Sequence, residues 1–203
     1  MKKSVFQSLL LAALAMVGMS FTTNPQEEDR RAVNVQESEI VWNGYKVTGS
    51  HTGNIQLKSG ALEFEEGMLS GGEFAIDMTT IVCNDLSGEY KGKLEGHLKS
   101  DDFFGVKNHP TANFKITKVV SRGTPGDYKI IGDLTIKGIT KEVKFLANLS
   151  EEGNNTVAVA DIKVDRSEYN VRYGSGSFFD NLGDKTIYDE FDLQVRLVVP
   201  KNS

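Results

Sequence analysis

Three histidines, one cysteine and a loop rich in carboxylates are the side chains here with chemistry to offer. A zinc-type site needs at least three converging ligands, often histidines at short helical or strand spacing. His51, His97 and His109 are too scattered for that, so the expectation is no metal and no cofactor. Cys83 is the only cysteine, which rules out a disulfide within the chain. It follows Ile81-Val82, with no histidine at an activating spacing, and reads as a small buried apolar group. His97, Asp101, Asp102 and Tyr90 could compose an acid–base cluster, since one carboxyl of a pair can have a raised pKa. Neighbouring aspartates on a loop are usually solvated, however, and the expectation is that the protein is not an enzyme.

Two loop segments imitate known sites and fall short. Gly174-Ser175-Gly176-Ser177 lacks the lysine and hydroxyl residue that close a phosphate-binding loop. Asp180-Asn181-Leu182-Gly183-Asp184 lacks the alternating oxygen ligands of a calcium loop. Asp161, Asp165 and Asp189 with Arg166, Arg172 and Arg196 read as ordinary surface ion pairs.

The elements that would position these groups are mostly strands. Apolar residues alternate with polar ones at a period of two in Ile40/Trp42, Phe74/Ile76/Met78, Phe114/Ile116 and Leu134/Ile136, and most cleanly from Phe191 through Leu193, Val195 and Leu197 to Val199. Ser59-Gly60, Gly71-Gly72, Gly123 to Asp127, Lys137-Gly138 and Glu152-Gly153-Asn154 read as turns between them. The expected fold is all-β, an antiparallel sheet closed or nearly closed into a barrel of about eight strands, with one or two short helices. The helical candidate is Ser87 to Leu98, where Leu86, Tyr90, Leu94 and Leu98 share a face. Gly88, Gly92 and Gly96 weaken that helix, or let it pack close to the barrel. A barrel of this size is either just filled by its side chains or open for one small ligand, and alternation alone leaves both readings standing.

Composition narrows the partners. The formal charge of −5 and the absence of basic runs interleaved with aromatics argue against nucleic acid. Lys2 and Lys3 followed by the apolar run Leu9 to Met19 read as a signal peptide over residues 1–22, too short to span a bilayer. Its removal would take the charge to −7, with 21 basic against 28 acidic side chains. No cysteine follows the run, so no lipid anchor is expected, and the destination is the periplasm or the outside of the cell. Residues 23–37 are polar and charged and read as a flexible linker. The domain is expected over residues 38–200.

Gly96-His97-Leu98-Lys99-Ser100-Asp101-Asp102-Phe103-Phe104, running on to His109-Pro110-Thr111-Ala112-Asn113-Phe114, together with Gly132-Asp133-Leu134-Thr135-Ile136-Lys137-Gly138-Ile139-Thr140-Lys141, resembles the YceI-like family. The likeness runs from about Ser38 to Val199. It departs from the family pattern where an arginine–aspartate pair is usual before the histidine; here the run is Lys93-Leu94-Glu95-Gly96-His97. The resemblance implies a lipocalin-like barrel, hollow rather than packed solid, that binds a polyisoprenoid such as a quinone tail or polyprenyl chain. The side chains that would meet it are Trp42, Phe74 and Ile76, then Leu98, Phe103 and Phe104, then Phe114 and Ile116, Leu134 and Ile136, Phe145, and Phe191 and Leu193. In an extended chain Phe103 and Phe104 would split, one facing the cavity and one covering its rim; the alternative is a hydrophobic plug. Transient contact with a membrane and pairing of two barrels are compatible with this reading. Two others stand beside it: an enzyme within the same barrel, and an envelope interaction protein whose barrel is solid.

Overall fold

The computed structural model describes residues 29–201; the expected signal segment lies outside them. The strands are β1 (Asp29–Ala32), β2 (Glu39–Lys46), β3 (Gly49–Glu65), β4 (Met68–Cys83), β5 (Thr111–Ser121), β6 (Asp127–Ile136), β7 (Ile139–Glu152), β8 (Asn155–Asp165) and β9 (Ile187–Pro200). One helix, α1 (Gly88–Lys99), follows β4, and short 3-10 turns cover Arg166–Tyr169 and Gly183–Lys185. Neighbours in the sheet run β3-β2-β9-β8-β7-β6-β5-β4, and pairing of β3 with β4 closes the ring. The result is a closed antiparallel barrel of eight strands, the closed form of the sheet that the alternation leads one to expect. Closure matters because it satisfies the ladder on both edges of every barrel strand.

Each apolar run supplies the inner face of one strand. The β6–β7 connection is the two-residue turn read at Lys137-Gly138, both residues at positive φ (53° and 77°). The same geometry joins β3 to β4 at Glu66 and Gly67 (51° and 78°), a turn the dipeptide signals did not mark. Ser59-Gly60 and Gly71-Gly72, expected as turns, instead lie inside β3 and β4, which are 17 and 16 residues long. Those glycines serve close approach: a Cβ on Gly60 would meet Phe74 Cδ1 at 2.5 Å, and one on Gly72 the Ala61 carbonyl oxygen at 2.8 Å.

Two further expectations are corrected. The linker assigned to residues 23–37 is structured from Asp29: β1 pairs antiparallel with β3, from Asp29 opposite Phe64 to Ala32 opposite Ala61. Val33 is buried, and the Asn34 N–H donates to the Val198 carbonyl at 2.8 Å. Its charge misled because Arg31 lies over the Phe64 ring, 4.4 Å from the centroid, which lets a polar strand cover an apolar one. In α1, Leu98 is buried and Leu94 packs on the core, but Tyr90 is 73% exposed. Gly92 and Gly96 have nothing within 4 Å of an added Cβ, so they do not mediate close packing.

Candidate functional site

Inside the barrel is a cavity of about 220 Å³. Its size falls between the roughly 150 Å³ apolar hole that accepts a benzene-sized guest and the roughly 300–1,000 Å³ of drug-sized sites. The barrel is therefore not packed solid. All thirteen residues expected to meet a ligand line it: Trp42, Phe74, Ile76, Leu98, Phe103, Phe104, Phe114, Ile116, Leu134, Ile136, Phe145, Phe191 and Leu193.

How the lumen stays open with so many large side chains follows from their neighbours. The Trp42 indole lies against Gly53, its direct cross-strand partner, where a Cβ would meet Cζ2 at 2.7 Å. Phe74 lies against its own partner Gly60 in the same way. Phe114 covers Gly132, one diagonal step along β6. Each ring fills the space a side chain would take in the next strand. On β7 and β8 the wall is thin: Ala147 pairs with Ala160, and Ala158 stands two residues before it.

One end of the lumen is covered by the Ser100–His109 loop. Phe103 and Phe104 do not divide between cavity and rim, because the loop is folded into turns rather than extended. Both line the cavity, with ring centroids 5.0 Å apart in an edge-to-face pair, and Phe104 meets Phe191 at 6.3 Å. The loop is tied down by Lys137, whose Nζ donates to the Asp101 and Phe103 carbonyls at 2.9 and 3.0 Å. Of the lining residues near this end, Tyr188 is 51% exposed.

Arg166 is the one charged residue among the described lining residues, and it is only 2% exposed. Its Nε donates to the Tyr188 carbonyl, Nη1 to Val171 and Nη2 to Ile187, at 3.1, 2.8 and 2.9 Å. Asp189 Oδ1 is 3.3 Å from Nη2, and the guanidinium carbon stands 5.3 Å from the Phe103 centroid. Burial lowers its pKa while Asp189 and Asp165 oppose the shift, so the guanidinium remains charged. The surface ion pair expected for Arg166 is thus a buried anchor. Its acceptors are carbonyls up to 22 residues away, which no local pattern announces.

The acid–base cluster is not assembled. The His97 ring packs edge-on against Phe103 and Tyr173, at 5.5 and 4.3 Å between centroids. Tyr90 faces solvent under Lys93, and the Asp101 carboxylate accepts from Asn108 at 3.4 Å. Cys83 is fully buried, as read. What was not read is its setting: Sγ donates to Asp85 Oδ1 at 3.0 Å, and Asp85 Oδ2 lies 3.0 Å from His51 Nδ1. The β3–β4 register, with Gly53 opposite Cys83, is what brings His51 there.

The described residues thus combine an eight-stranded closed barrel, an apolar lumen and an aromatic loop over one end. Residues 32–199 match the family described as the YceI-like domain. The chain belongs to that family. As a YceI-like protein it is similar to a UPF0312 protein of Shewanella denitrificans, 28% identical over 155 residues covering 76% of this chain and 77% of the relative. A UPF0312 protein of Vibrio parahaemolyticus is 27% identical over 160 residues, 76% and 78% of the two chains. Among solved structures, Burkholderia cenocepacia BcnA matches with a TM-score of 0.63 at 19% identity, over 82% of this chain and 98% of its own. A domain of Saccharophagus degradans, described as polyisoprenoid-binding and implicated in plant cell wall breakdown, matches at 0.61 with 10% identity over 84% and 98%. At these identities the structural likenesses establish the YceI-like fold alone.

Proposed function

We propose that this YceI-like chain is an exported binding protein, periplasmic or secreted, that holds part of an isoprenoid lipid in its lumen as carrier or reservoir. A quinone tail and a polyprenyl chain are the two guests that fit the reading. The observation that carries it is the roughly 220 Å³ apolar lumen, kept open by rings seated on glycines and bordered by alanines. The description of the Saccharophagus domain supports the choice of guest.

Burying a methylene gains roughly 0.8 kcal/mol against water, so each five-carbon unit offers about 3–4 kcal/mol gross. A bilayer offers nearly the same, so exchange between membrane and barrel runs close to neutral. That balance suits shielding a lipid across an aqueous space after brief contact with a membrane. The cavity takes a short stretch of chain; a longer guest requires the Phe103–Phe104 loop to move.

Trp42 is the only tryptophan and lines the lumen, so its emission reports occupancy directly. Short-chain ubiquinone should quench it saturably, and organic extracts of purified protein should contain a long apolar molecule by mass spectrometry. Ala160→Phe, which fills the thin wall, should reduce uptake at least tenfold while the protein still unfolds cooperatively. Absence of both quenching and extractable lipid overturns the proposal.

A further inference from the structure

At the rim of the barrel, where β4 ends and the chain turns toward α1, three donor atoms of different chemistry converge. The ligand atoms of His51, Cys83 and Asp85 all lie within 4.8 Å of one another. Cys83 is buried, whereas the His51 and Asp85 side chains are 26% and 34% exposed, so one side of the group opens to solvent. Supporting bonds fix the carboxylate: the Thr52 N–H donates to Asp85 Oδ1 at 3.2 Å. The Cys83 N–H donates to Glu95 Oε1 at 2.8 Å, tying the same corner to α1.

This is not a nucleophilic triad. In such a triad an imidazole stands between thiol and carboxylate and takes the thiol proton. Here the carboxylate stands in the middle, accepting from Cys83 on one oxygen and meeting His51 on the other. Burial and the hydrogen bond to Asp85 push the thiol pKa up, the wrong direction for a nucleophile. Burial would raise the Asp85 pKa, but hydrogen bonds from Cys83, His51 and the Thr52 N–H outweigh it and hold the carboxyl at about 2. An anionic carboxylate, an imidazole and a thiol with ligand atoms within 4.8 Å of one another make a ligand set.

We propose that His51, Cys83 and Asp85 form a site for a zinc-class divalent cation. Zinc bonds of about 2.0–2.3 Å in a tetrahedral arrangement place ligand atoms about 3.4–3.6 Å apart. The contacts at 3.0 Å, one on each Asp85 oxygen, would open by about half an ångström, and the widest pair of the group, now within 4.8 Å, would close by up to about an ångström, to hold the ion. Binding replaces two hydrogens: a sulfur–metal bond forms as the S–H bond breaks and its proton leaves to solvent on the open side, and the imidazole, which now donates from Nδ1, takes the tautomer with its hydrogen on Nε2 so that the Nδ1 lone pair meets the ion. A dication, a thiolate and a carboxylate sum to zero charge, which suits a half-buried corner. Mixed sulfur, nitrogen and oxygen donors favour zinc over calcium or magnesium, which take oxygen ligands. The fourth position falls on the solvent side and is left to water.

The test uses untagged mature protein stripped with chelator, titrated with Zn²⁺ by calorimetry and with Co²⁺ by absorption. One ion per chain is expected, with a near-ultraviolet thiolate-to-cobalt band. Cys83→Ser should abolish that band, and His51→Ala and Asp85→Asn should each weaken zinc at least tenfold. Should Cys83→Ser fail to fold, the two partly exposed variants decide the matter. Wild-type protein without stoichiometric uptake, or zinc held equally well by His51→Ala and Asp85→Asn, overturns the assignment. The cavity reading stands or falls independently of this result.

Discussion

The Phe114 ring occupies the place of the side chain that Gly132 lacks: a Cβ there would meet Phe114 Cζ at 2.4 Å and the Lys115 carbonyl oxygen at 2.6 Å. Gly132→Ala therefore forces the ring toward the axis and strains the β5–β6 ladder. We expect a loss of about 1–3 kcal/mol, the usual range for overpacking, measured by urea unfolding. Ubiquinone quenching of Trp42 should weaken in parallel. Unchanged stability together with unchanged quenching would show that the ring does not depend on this seat.

Lys137 holds the Phe103 loop through two charged hydrogen bonds to carbonyls. Lys137→Met keeps the apolar stem and removes the donors. At a half-buried position the expected cost is about 1–2 kcal/mol, concentrated in the loop. Hydrogen exchange at Phe103, Phe104 and Gly105 should accelerate at least tenfold, with the β8–β9 amides unaffected. A uniform acceleration across the barrel would mean the lysine supports the whole fold instead.

The Tyr169 side chain is 1% exposed, and its hydroxyl has no hydrogen-bond partner among the described residues. Burial, with smaller contributions from Glu168 and Asp165, pushes its pKa up to about 12. Because the folded pKa is the raised one, the associated stability is complete below about pH 10, the ordinary tyrosine value, and is lost as pH climbs through about 12. Tyr169→Phe should be neutral or stabilising by up to about 1 kcal/mol at pH 7. It should also flatten the loss of about 2–3 kcal/mol between pH 10 and 12. Identical alkaline unfolding curves for the two proteins would count against this tyrosine as the titrating group.

Gly92 and Gly96 lie in the interior of α1 with open space where a Cβ would stand. Replacing each by alanine should stabilise the protein by roughly 0.5–1 kcal/mol, through helix propensity and a stiffer unfolded chain. Thermal unfolding of the single and double variants measures this directly. Since the two sites are one helical turn apart and touch nothing, the gains should add.

The barrel was legible because period-two alternation reports one wet and one dry face, and Ile40/Trp42 and Phe191 to Val199 show it without interruption. The cavity-lining residues follow from the same rule once the tube is taken as hollow. Glycine was the ambiguous letter. Gly67 and Gly138 make turns, whereas Gly60 and Gly72 make room within strands, and the local sequence is alike in both cases. Arg166 and the His51–Cys83–Asp85 group escaped for a different reason. Both depend on which strands become neighbours and in which register, information that no single segment holds. Phe103 and Phe104 were separated on the premise of an extended chain, and the turns at Ser100–Gly105 remove that premise.

The contact between Arg166 and Phe103 bears on which guests the barrel can prefer. A molecule that displaces the Phe103 ring strips a cation of its aromatic partner, a loss of about 0.5–2 kcal/mol at a desolvated site. A saturated alkyl tail offers nothing in return. An olefin or a quinone ring can present π density or an oxygen to the same guanidinium. On the proposed function, the barrel should therefore hold an unsaturated isoprenoid more tightly than its fully reduced counterpart, a preference set by a single residue of an otherwise oily wall.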